Sequence, residues 1–519
     1  MASILLTVEV EGAPYRYTTA DEPETVAGDI YRPGLDVKSV KLHDLGQTTA
    51  KVYDPAEDWP SILLPLSVPP VWPARLSWYD GGEPILLQIG IAKVQPYGRP
   101  AGRLGLSIDS ATFPGARMVP DSAGSLVVRG DWPSIGHTGV PDEFRYGQAE
   151  EAIGIYYPRV YGAPGPVAIG PAAAVTSPGS PAYACERFNS VSEGANGPGA
   201  FYTSLRVVIA APPSGAASVQ FVNVSEGADN NGRWVAVART PFLVRDLRGR
   251  TVEVVDFGGI IGLPWAEDAE WAAAWTPADP ATPRDAEYIV ADMLRASGRP
   301  VDLGRLHLPG FLLDFALVEP VDPIEWSLQH LGSVALYAGR TGSGFYLRLI
   351  PVDQVDPDME LLLDASADYG DLSPADPSTI PSDISVRYGV ITGETTAEVR
   401  LTATGDEDGA TRSPMCARAY SAGYRSAVEE EVPAVRDPTT AARIANLIAL
   451  DRCNPGVATV VDITDEGTIR TLLELGPAHL VRLTDATDDA VGLTGYLALV
   501  ESMAVSESAL QLTLTVRPA

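Results

Sequence analysis

Alternation of apolar and polar residues is the clearest pattern in the first 110 residues, and it predicts antiparallel strands with one buried face. The alternating stretches are residues 4–19, 40–54, 74–94 and 104–110. The first three of these stretches contain predicted turns, at Gly12-Ala13-Pro14, at Leu45-Gly46 and at Asp80-Gly81-Gly82. Because glycine supplies the positive φ that tight turns need, the third stretch is a strong hairpin signal.

Residues 111–235 are richer in Gly, Pro, Ser and Ala, and the stretch 162–181 holds many turn-forming residues without a helical period. Asp229-Asn230-Asn231-Gly232 is typical of a turn. Strand-like runs in and just after this region are residues 125–129, 204–211, 218–224, 234–239 and 251–257. We interpret the region as an inserted or second β-rich domain with long loops.

Helical periodicity is found only in the second half of the chain, at three places. Helix starts are signalled at Thr282-Pro283, Asp322-Pro323 and Asp437-Pro438, since proline is tolerated in the first turn of a helix. Glu325 completes a capping-box-like pair in the second helix. The apolar face and the glycine stop of the first helix are Ala286, Ile289, Val290, Met293, Leu294 and Gly298. The buried stripe of the third helix is Ile444, Leu447 and Ile448.

Further strands are predicted between and after these helices, which makes the chain mainly β and of the α+β class. They are residues 334–340, 345–351, 384–390, 398–403, 457–463, 480–483 and 493–505. The final strand is the clearest, because Leu510, Leu512, Leu514 and Val516 alternate with polar residues.

Composition excludes several classes of protein. The 519 residues include 37 basic and 67 acidic side chains, so the formal charge is −30 and a general nucleic-acid binder is excluded. Hydrophobic residues at 45% and charged residues at 20% are typical of a folded chain. We expect no signal peptide, because Glu9 and Glu11 interrupt the first apolar run, and no membrane insertion. Three cysteines predict no disulfide framework and synthesis in a reducing cytoplasm.

Candidate chemistry is sparse, and we predict no catalytic, cofactor-binding or metal-binding residue and no cofactor. The histidines (His43, His137, His307, His330 and His479) and the cysteines (Cys185, Cys416 and Cys453) lack the spacing of metal motifs. Ser134 and His137 share a loop, and the cysteines are interpreted as buried apolar thiols. The acidic clusters 229–232, 406–409 and 485–489 resemble fragments of calcium loops without the final glutamate, and are interpreted as solvated turns.

One basic cluster leaves two interpretations open. Arg245, Arg248 and Arg250 connect two strand-like runs. A hairpin turn is the first interpretation, and a docking site for an acidic partner is the second.

The order of elements in the C-terminal part resembles that of the baseplate hub, or tail-tip hub, proteins of tailed bacteriophages and related gene transfer agents. The residues that carry the resemblance are 383–388, 437–445, 457–463 and 475–485, with the Tyr-Gly-Pro-rich stretch 156–162. The chain departs from the family at Ala478, where these proteins often have an acidic residue, and it lacks the four-cysteine iron–sulfur module of some phage tips.

The resemblance implies tube-like antiparallel β-barrel domains and a division into four segments. These are a tube-like barrel (1–110), an inserted β-rich domain (111–235), return strands with a second α+β domain (236–380), and a C-terminal α+β domain that completes the second barrel (381–519).

The resemblance also implies a structural role without enzymatic activity, in the virion at the tail tip or baseplate, after synthesis in the cytoplasm of the host bacterium. Such hubs are homotrimers that join the sixfold tail tube or distal tail ring to a threefold tip. The implied partners are the distal tail protein, the tape-measure protein and the central tip or fibre protein. Genomic DNA passes through the lumen without specific binding, which an acidic lining favours.

Other interpretations remain open. The chain could be another tail component, such as a distal tail protein or a receptor- or carbohydrate-binding protein, or a tail-borne cell-wall hydrolase. The acidity could also reflect a saline habitat instead of a channel lining.

Overall fold

The computed structural model describes the two ends of the chain and much of its middle. The described residues are 2–54, 71–95, 103–121, 125–126, 128, 154, 156–157, 159–162, 184–191, 201–210, 216–223, 237–239, 242–245, 248–256, 271–277, 284–317, 319–331, 334, 336–363, 367–369, 372–374, 376, 379–391, 394–406, 409–453, 456–485 and 493–517.

Eighteen strands precede the first described helix. In chain order they are β1 Ser3–Val10, β2 Ala13–Thr18, β3 Glu24–Val26, β4 Asp29–Pro33, β5 Leu35–Asp36, β6 Val40–Lys41, β7 Gln47–Tyr53, β8 Val71–Tyr79, β9 Ile85–Gln95, β10 Arg103–Asp109, β11 Arg159–Tyr161, β12 Ala184–Val191, β13 Phe201–Ala210, β14 Ala216–Asn223, β15 Val237–Arg239, β16 Phe242–Arg245, β17 Thr251–Asp256 and β18 Trp271–Pro277.

Helices and strands alternate in the remainder. The helices are α1 Ala286–Ala296, α2 Pro323–Leu331, α3 Pro414–Ser421, α4 Pro438–Arg452 and α5 Glu466–Leu475. The strands are β19 Phe315–Leu317, β20 Leu336–Arg340, β21 Phe345–Leu349, β22 Met359–Leu363, β23 Ala367–Tyr369, β24 Ser373–Pro374, β25 Pro381–Ile391, β26 Glu394–Thr402, β27 Ala410–Arg412, β28 Ser426–Val432, β29 Val457–Ile463, β30 His479–Asp485, β31 Leu497–Val505 and β32 Leu510–Arg517.

The N-terminal strands form a nine-stranded sheet in the order β3-β4-β2-β1-β8-β9-β10-β7-β5. The hairpin predicted around residue 12 is confirmed, with Glu11 and Gly12 at φ values of 51° and 83°, as a two-residue primed turn requires. The β8–β9 hairpin around Asp80-Gly81-Gly82 and strand β10 are confirmed as well.

The alternating stretch 40–54 is not a hairpin, although its alternation resembles one. Strand β6 pairs with β31 of the C-terminal part, whereas β7 pairs with β10 and β5. Val40 and Leu42 are fully buried among the apolar residues of the distant sheet. Alternation reports which side chains are buried, and it does not report which strand they pair with.

The C-terminal strands form an eight-stranded sheet that contains β22-β30-β31-β32-β29-β23, with β24 beside β29 and β6 beside β31. Its buried face and that of the N-terminal sheet belong to one hydrophobic core, which also includes Ile469, Leu472 and Leu473 of α5. The predicted alternation of the last strand is confirmed from Leu510 to Leu514, since the three leucines are fully buried while Gln511 is exposed, but Thr515, predicted on the wet face, is buried.

The middle of the chain contributes two small antiparallel sheets, β12-β13-β17-β16 and β15-β14-β18. The strands expected near 204–211, 218–224, 234–239 and 251–257 are confirmed. Strands β12, β16 and β18 of these sheets were not predicted. Of the strand expected at 125–129, the described part shows only a single bridge between Leu126 and Tyr156. The turn at 229–232 and most of the stretch 162–181 lie outside the described residues.

A second core contains residues of α1 to α4, of β21, and of β25, β26 and β28 in the sheet β27-β26-β25-β28. The three predicted helices are confirmed, with one shift: α1 begins at Ala286, because the side chain of Asp285 caps it by accepting the Tyr288 amide. Helices α3 and α5 were not predicted, although Ser413 and Asp465 cap them in the same way.

The mainly β class, with its described helices in the C-terminal half, is therefore confirmed. Closure of the sheets into barrels and the division at residues 110, 235 and 380 stay predictions.

Candidate assembly site

Residues 40–46, called here the linking segment, connect three sheets through their backbone. The Leu42 amide donates to the Met503 carbonyl at 3.0 Å, and the His43 amide donates to the Leu87 carbonyl at 2.8 Å. The His43 carbonyl accepts from the Arg340 amide at 2.9 Å. A stretch of seven residues thus fixes the C-terminal sheet, the N-terminal sheet and the β20–β21 hairpin relative to one another.

Backbone conformation at two positions makes this junction specific to the sequence. His43 has a φ of 52°, in the left-handed region that few side chains other than Asn, Asp and His adopt. Gly339 lies so near that a Cβ there would stand 2.3 Å from the His43 carbonyl oxygen. The hairpin can therefore approach the linking segment only with glycine at position 339.

The imidazole of His43 is almost fully buried, at 4% exposure, and neither ring nitrogen has a hydrogen-bond partner among the described residues. Burial, with the positive charge of Arg305 as the second cause, lowers the pKa of His43 to about 4. The ring is therefore neutral at pH 7 and behaves as a packed, uncharged part of the junction.

Three arginines fasten neighbouring segments to this junction. Arg305 donates to the carbonyls of Glu474 and Leu475, at the C-terminal end of α5, where a positive charge complements the helix dipole. Arg470 of α5 donates to both carboxylate oxygens of Asp80 in the β8–β9 turn. A planar guanidinium with several donors suits such contacts better than an ammonium group does.

Arg340 makes the third fastening. It donates to the carbonyls of Ser110 and Thr112 at 3.3 and 3.1 Å, and its guanidinium lies over the ring of Phe345 at 4.8 Å. Burial lowers its pKa to about 10, which leaves it charged at pH 7. The chain thus leaves the N-terminal sheet after β10 beside a buried cation.

His479, the first residue of β30 in the C-terminal sheet, makes further polar contacts. Its Nε2 lies 3.2 Å from Nη1 of Arg348, and its Nδ1 lies 3.0 Å from the Gly476 carbonyl. Because a guanidinium only donates, Nε2 accepts and Nδ1 carries the proton. Burial, followed by the charge of Arg348, lowers the pKa of His479 in agreement with this neutral form.

Ala478, where the chain departs from the hub resemblance, lies directly before His479. It is fully buried, has a φ of 61°, and donates its amide to the Val500 carbonyl at 2.9 Å. An acidic side chain at this position would be buried next to β31.

The outer face of the N-terminal sheet contains a groove of about 650 Å³ between β5, β7 and β10. Lys51, Tyr53 and Arg103 line it, and the Arg103 guanidinium lies 5.7 Å from the Tyr53 ring centre. The sheet edge at β28 is acidic instead, with Glu429 and Glu431 exposed next to Arg387. Both surfaces thus contain charges of both signs, since Asp36 also lines the groove, 3.8 Å from Lys51, and Arg387 lies at the acidic edge.

The basic cluster predicted from the sequence lies in a hairpin, since β16 and β17 pair on either side of it. Arg250 donates to the Leu126 carbonyl at 2.9 Å and stacks 4.6 Å from the ring centre of Tyr157. Arg248 also donates to the Leu126 carbonyl. The guanidinium groups of Arg248 and Arg250 are thus engaged within the chain.

The remaining candidates are scattered. His307 lies 3.4 Å from Glu287, and His330 stacks on Trp326 at 4.3 Å. Cys416 and Cys453 are buried, as expected, and adjoin one another. Ser134, His137 and the cluster 229–232 lie outside the described residues, as do parts of 406–409 and 485–489.

Neither metal-binding nor membrane-spanning features are found in the described part. No group of three His, Cys, Asp or Glu side chains there is arranged to hold a metal ion. No helix of that part is long and apolar enough to cross a membrane.

The junction could not be predicted from the sequence, because its residues form no motif. One signal was present: the chain has 33 arginines and only four lysines. Such an excess of planar, multiply donating cations is what buried clamps between segments require.

Comparison with known proteins gives similarities at the level of solved structures. No protein-family model and no curated protein matches the chain. A 43 kDa tail protein of prophage MuSo2 from Shewanella oneidensis is 10% identical, with a TM-score of 0.38, and the match covers 99% of this chain and 98% of that one.

A chain in the virion of a native gene transfer agent particle is 12% identical with a TM-score of 0.35, covering 76% of this chain and 89% of that chain. A tail protein from Neisseria meningitidis is 12% identical with a TM-score of 0.28, covering 61% and 88%.

Proposed function

We propose that the protein is a structural component of a bacteriophage-type tail, and specifically the hub of the tail tip or baseplate. In this role three copies form a ring that joins a sixfold tube or distal tail ring to a threefold tip. The protein acts in the virion, has no catalytic activity, and is made in the cytoplasm of the host bacterium.

The observation that supports the proposal best is the pair of large sheets in one chain. The nine-stranded and eight-stranded sheets share one core and are locked together by the linking segment. A threefold ring can present six comparable modules only if each subunit contributes two of them in a fixed relation. A rigid junction between two sheets meets that requirement.

The sheet edges provide a way to close such a ring. The path of the N-terminal sheet ends at β3 and β5, and that of the C-terminal sheet ends at β22 and β23. Edge strands carry backbone groups that can pair with another chain, and pairing within a closed assembly removes the aggregation risk that they otherwise create.

The charge is compatible with a channel for DNA. Three copies of a chain of formal charge −30 carry −90. Carboxylates that face a lumen repel a passing polyanion instead of binding it. The proposed partners are accordingly the distal tail protein, the tape-measure protein and a central tip or fibre protein, with genomic DNA as unbound cargo.

The decisive experiment measures the mass and the symmetry of the particles that the purified full chain forms. We expect light scattering to give three times the chain mass, and negative-stain electron microscopy to give rings with threefold symmetry. A monomer throughout the micromolar range would contradict the hub. Sixfold rings would indicate a distal tail protein, and clearing of bacterial cell walls in a zymogram would contradict the non-enzymatic role.

Edge pairing has its own test. Leu362 on edge strand β22 is 53% exposed, and Val355, outside any strand, is 72% exposed. We expect Leu362→Asp to weaken the trimer, because it places a charge in the paired edge, and the control Val355→Asp to leave it intact. Equal trimer stability in both variants would exclude the β22 edge from the interface.

A further inference from the structure

Two cysteines that are far apart in sequence meet inside the second core. Cys416 is the third residue of α3, and Cys453 caps the C-terminal end of α4. Their sulfur atoms are 3.8 Å apart, and the residues are 0% and 4% exposed. They are the only cysteines whose side chains the structure describes, and both are free thiols.

The surroundings of the pair distinguish the two sulfurs. The Cys416 amide donates to the Ser413 hydroxyl in the first turn of α3, where the helix dipole favours a thiolate. The hydrogen bond between the two thiols is the largest cause of the pKa shift at both residues. It lowers the pKa of Cys416 and raises the pKa of Cys453. The thiolate is therefore favoured at Cys416, in the first turn of α3, over Cys453, at the C-terminal end of α4.

We propose that Cys416 and Cys453 form an intrachain disulfide once the protein leaves the reducing cytoplasm. The sulfur atoms are already in van der Waals contact, and the bond would bring them to about 2.05 Å. The pairing rests on geometry alone; only its timing, after release of the particle, depends on the proposed role in a virion.

The chemistry needs an oxidant, and a low-molecular-weight disulfide such as glutathione disulfide supplies it. Because both thiols are buried, the reagent reaches them when the eight-residue helix α3 opens locally; the Cys416 thiolate then attacks one sulfur of the reagent and expels one thiolate, which gives a mixed disulfide. The Cys453 thiolate then attacks the Cys416 sulfur and expels the second thiolate. Two protein thiols are oxidised, one reagent disulfide is reduced to two thiols, and the two protein protons are taken up by those thiols.

The bond would tie α3 to the end of α4 across β28, which lies between them in sequence. Closing this loop restricts the unfolded chain and so favours the folded state. A particle outside the cell cannot be repaired by cellular reductants and chaperones, so a cross-link formed after assembly would serve it best.

Peptide mapping of the full-length wild-type protein tests the proposal directly. The folded protein is incubated with glutathione disulfide, free thiols are alkylated in denaturant, and the chain is digested with trypsin. We expect peptides 413–418 and 453–470 to be linked, with the peptide that contains Cys185 alkylated. Alkylation of both Cys416 and Cys453 after this treatment, or linkage of either to Cys185, would overturn the proposal.

A matched pair of variants adds a stability measurement. Cys185→Ser keeps the pair, and its denaturation midpoint should be higher after oxidation than in reductant, as for the wild type. Cys453→Ser removes the pair, and its midpoint should not depend on the redox state. An equal redox dependence in both variants would contradict the assignment. The ring experiments above are independent of these outcomes, so failure of one proposal does not mimic failure of the other.

Discussion

Protonation of His43 should destabilise the folded protein at mildly acidic pH. Its pKa lies at about 4 in the folded chain, below the ordinary value of 6.5. The unfolded chain therefore binds a proton between these values while the folded chain does not. The contribution of neutral His43 to the unfolding free energy is fully present above about pH 6.5. It falls as the pH drops towards 4, by about 1.4 kcal/mol per pH unit where the dependence is linear.

The loss of unfolding free energy follows from the size of the pKa shift. No reduction for solvent screening applies, because His43 is only 4% exposed. Between about pH 7.5 and about pH 5, His43 alone should cost about 2 kcal/mol of unfolding free energy. The cost arises because a charged imidazole would be buried without a hydrogen-bond partner and close to the positive charge of Arg305.

The assay compares urea denaturation of wild-type protein and of His43→Asn at both pH values, followed by tryptophan fluorescence. Asparagine does not titrate and tolerates the positive φ of 52° at this position. Between the two pH values, the unfolding free energy of His43→Asn should therefore fall by about 2 kcal/mol less than that of the wild type. His307→Asn, at a position where the side chain is 56% exposed, is the control. If His43→Asn kept the full pH dependence of the wild type, the reasoning about the buried ring would be refuted.

Three further substitutions test other parts of the fold by denaturation at neutral pH. Arg470→Ala should lower the unfolding free energy by about 1 kcal/mol, since the bidentate contact with Asp80 is lost, and Arg470→Lys should recover part of it. Leu512→Ala, in the core shared by both sheets, should cost about 2–5 kcal/mol, whereas the exposed Gln511→Ala should change it by less than about 0.5. Asp437→Ala, at the N-cap of α4, should cost about 1 kcal/mol, and Asp437→Ser should retain most of the cap.

Local features of the fold were predictable because their causes are local. Gly81 supplies the positive φ, 97°, in the turn between β8 and β9, and Asp322 and Asp437 cap helices with their own side chains. In each case the residue and its effect lie within a few positions of one another. Helices α3 and α5 carried equivalent caps, but α3 is only eight residues long and gives little periodicity.

The assembly site could not be predicted in the same way, because its partners are remote in sequence. Val40 alternates like a strand residue, but nothing near it indicates that Val505 is its partner. Arg470 lies 390 positions from Asp80, and its charge pattern on α5 is that of an ordinary surface helix. The contact between Cys416 and Cys453 is hidden for the same reason, since a separation of 37 positions resembles no known motif.

These remote pairings also determine the order in which the protein can form. The first core joins strands β1, β2 and β5 to β10 with β22, α5 and β29 to β32, so most of its C-terminal side comes from residues 460–519. The N-terminal sheet therefore keeps an apolar face uncovered until those residues have been synthesised, and closing such a long loop is slow. The linking segment can pair with β31 only after that point. If the two sheets form the paired modules of a ring, each chain must complete its own first core before it can present both of them to its neighbours. Assembly of the proposed trimer thus follows completion of the first core in each chain.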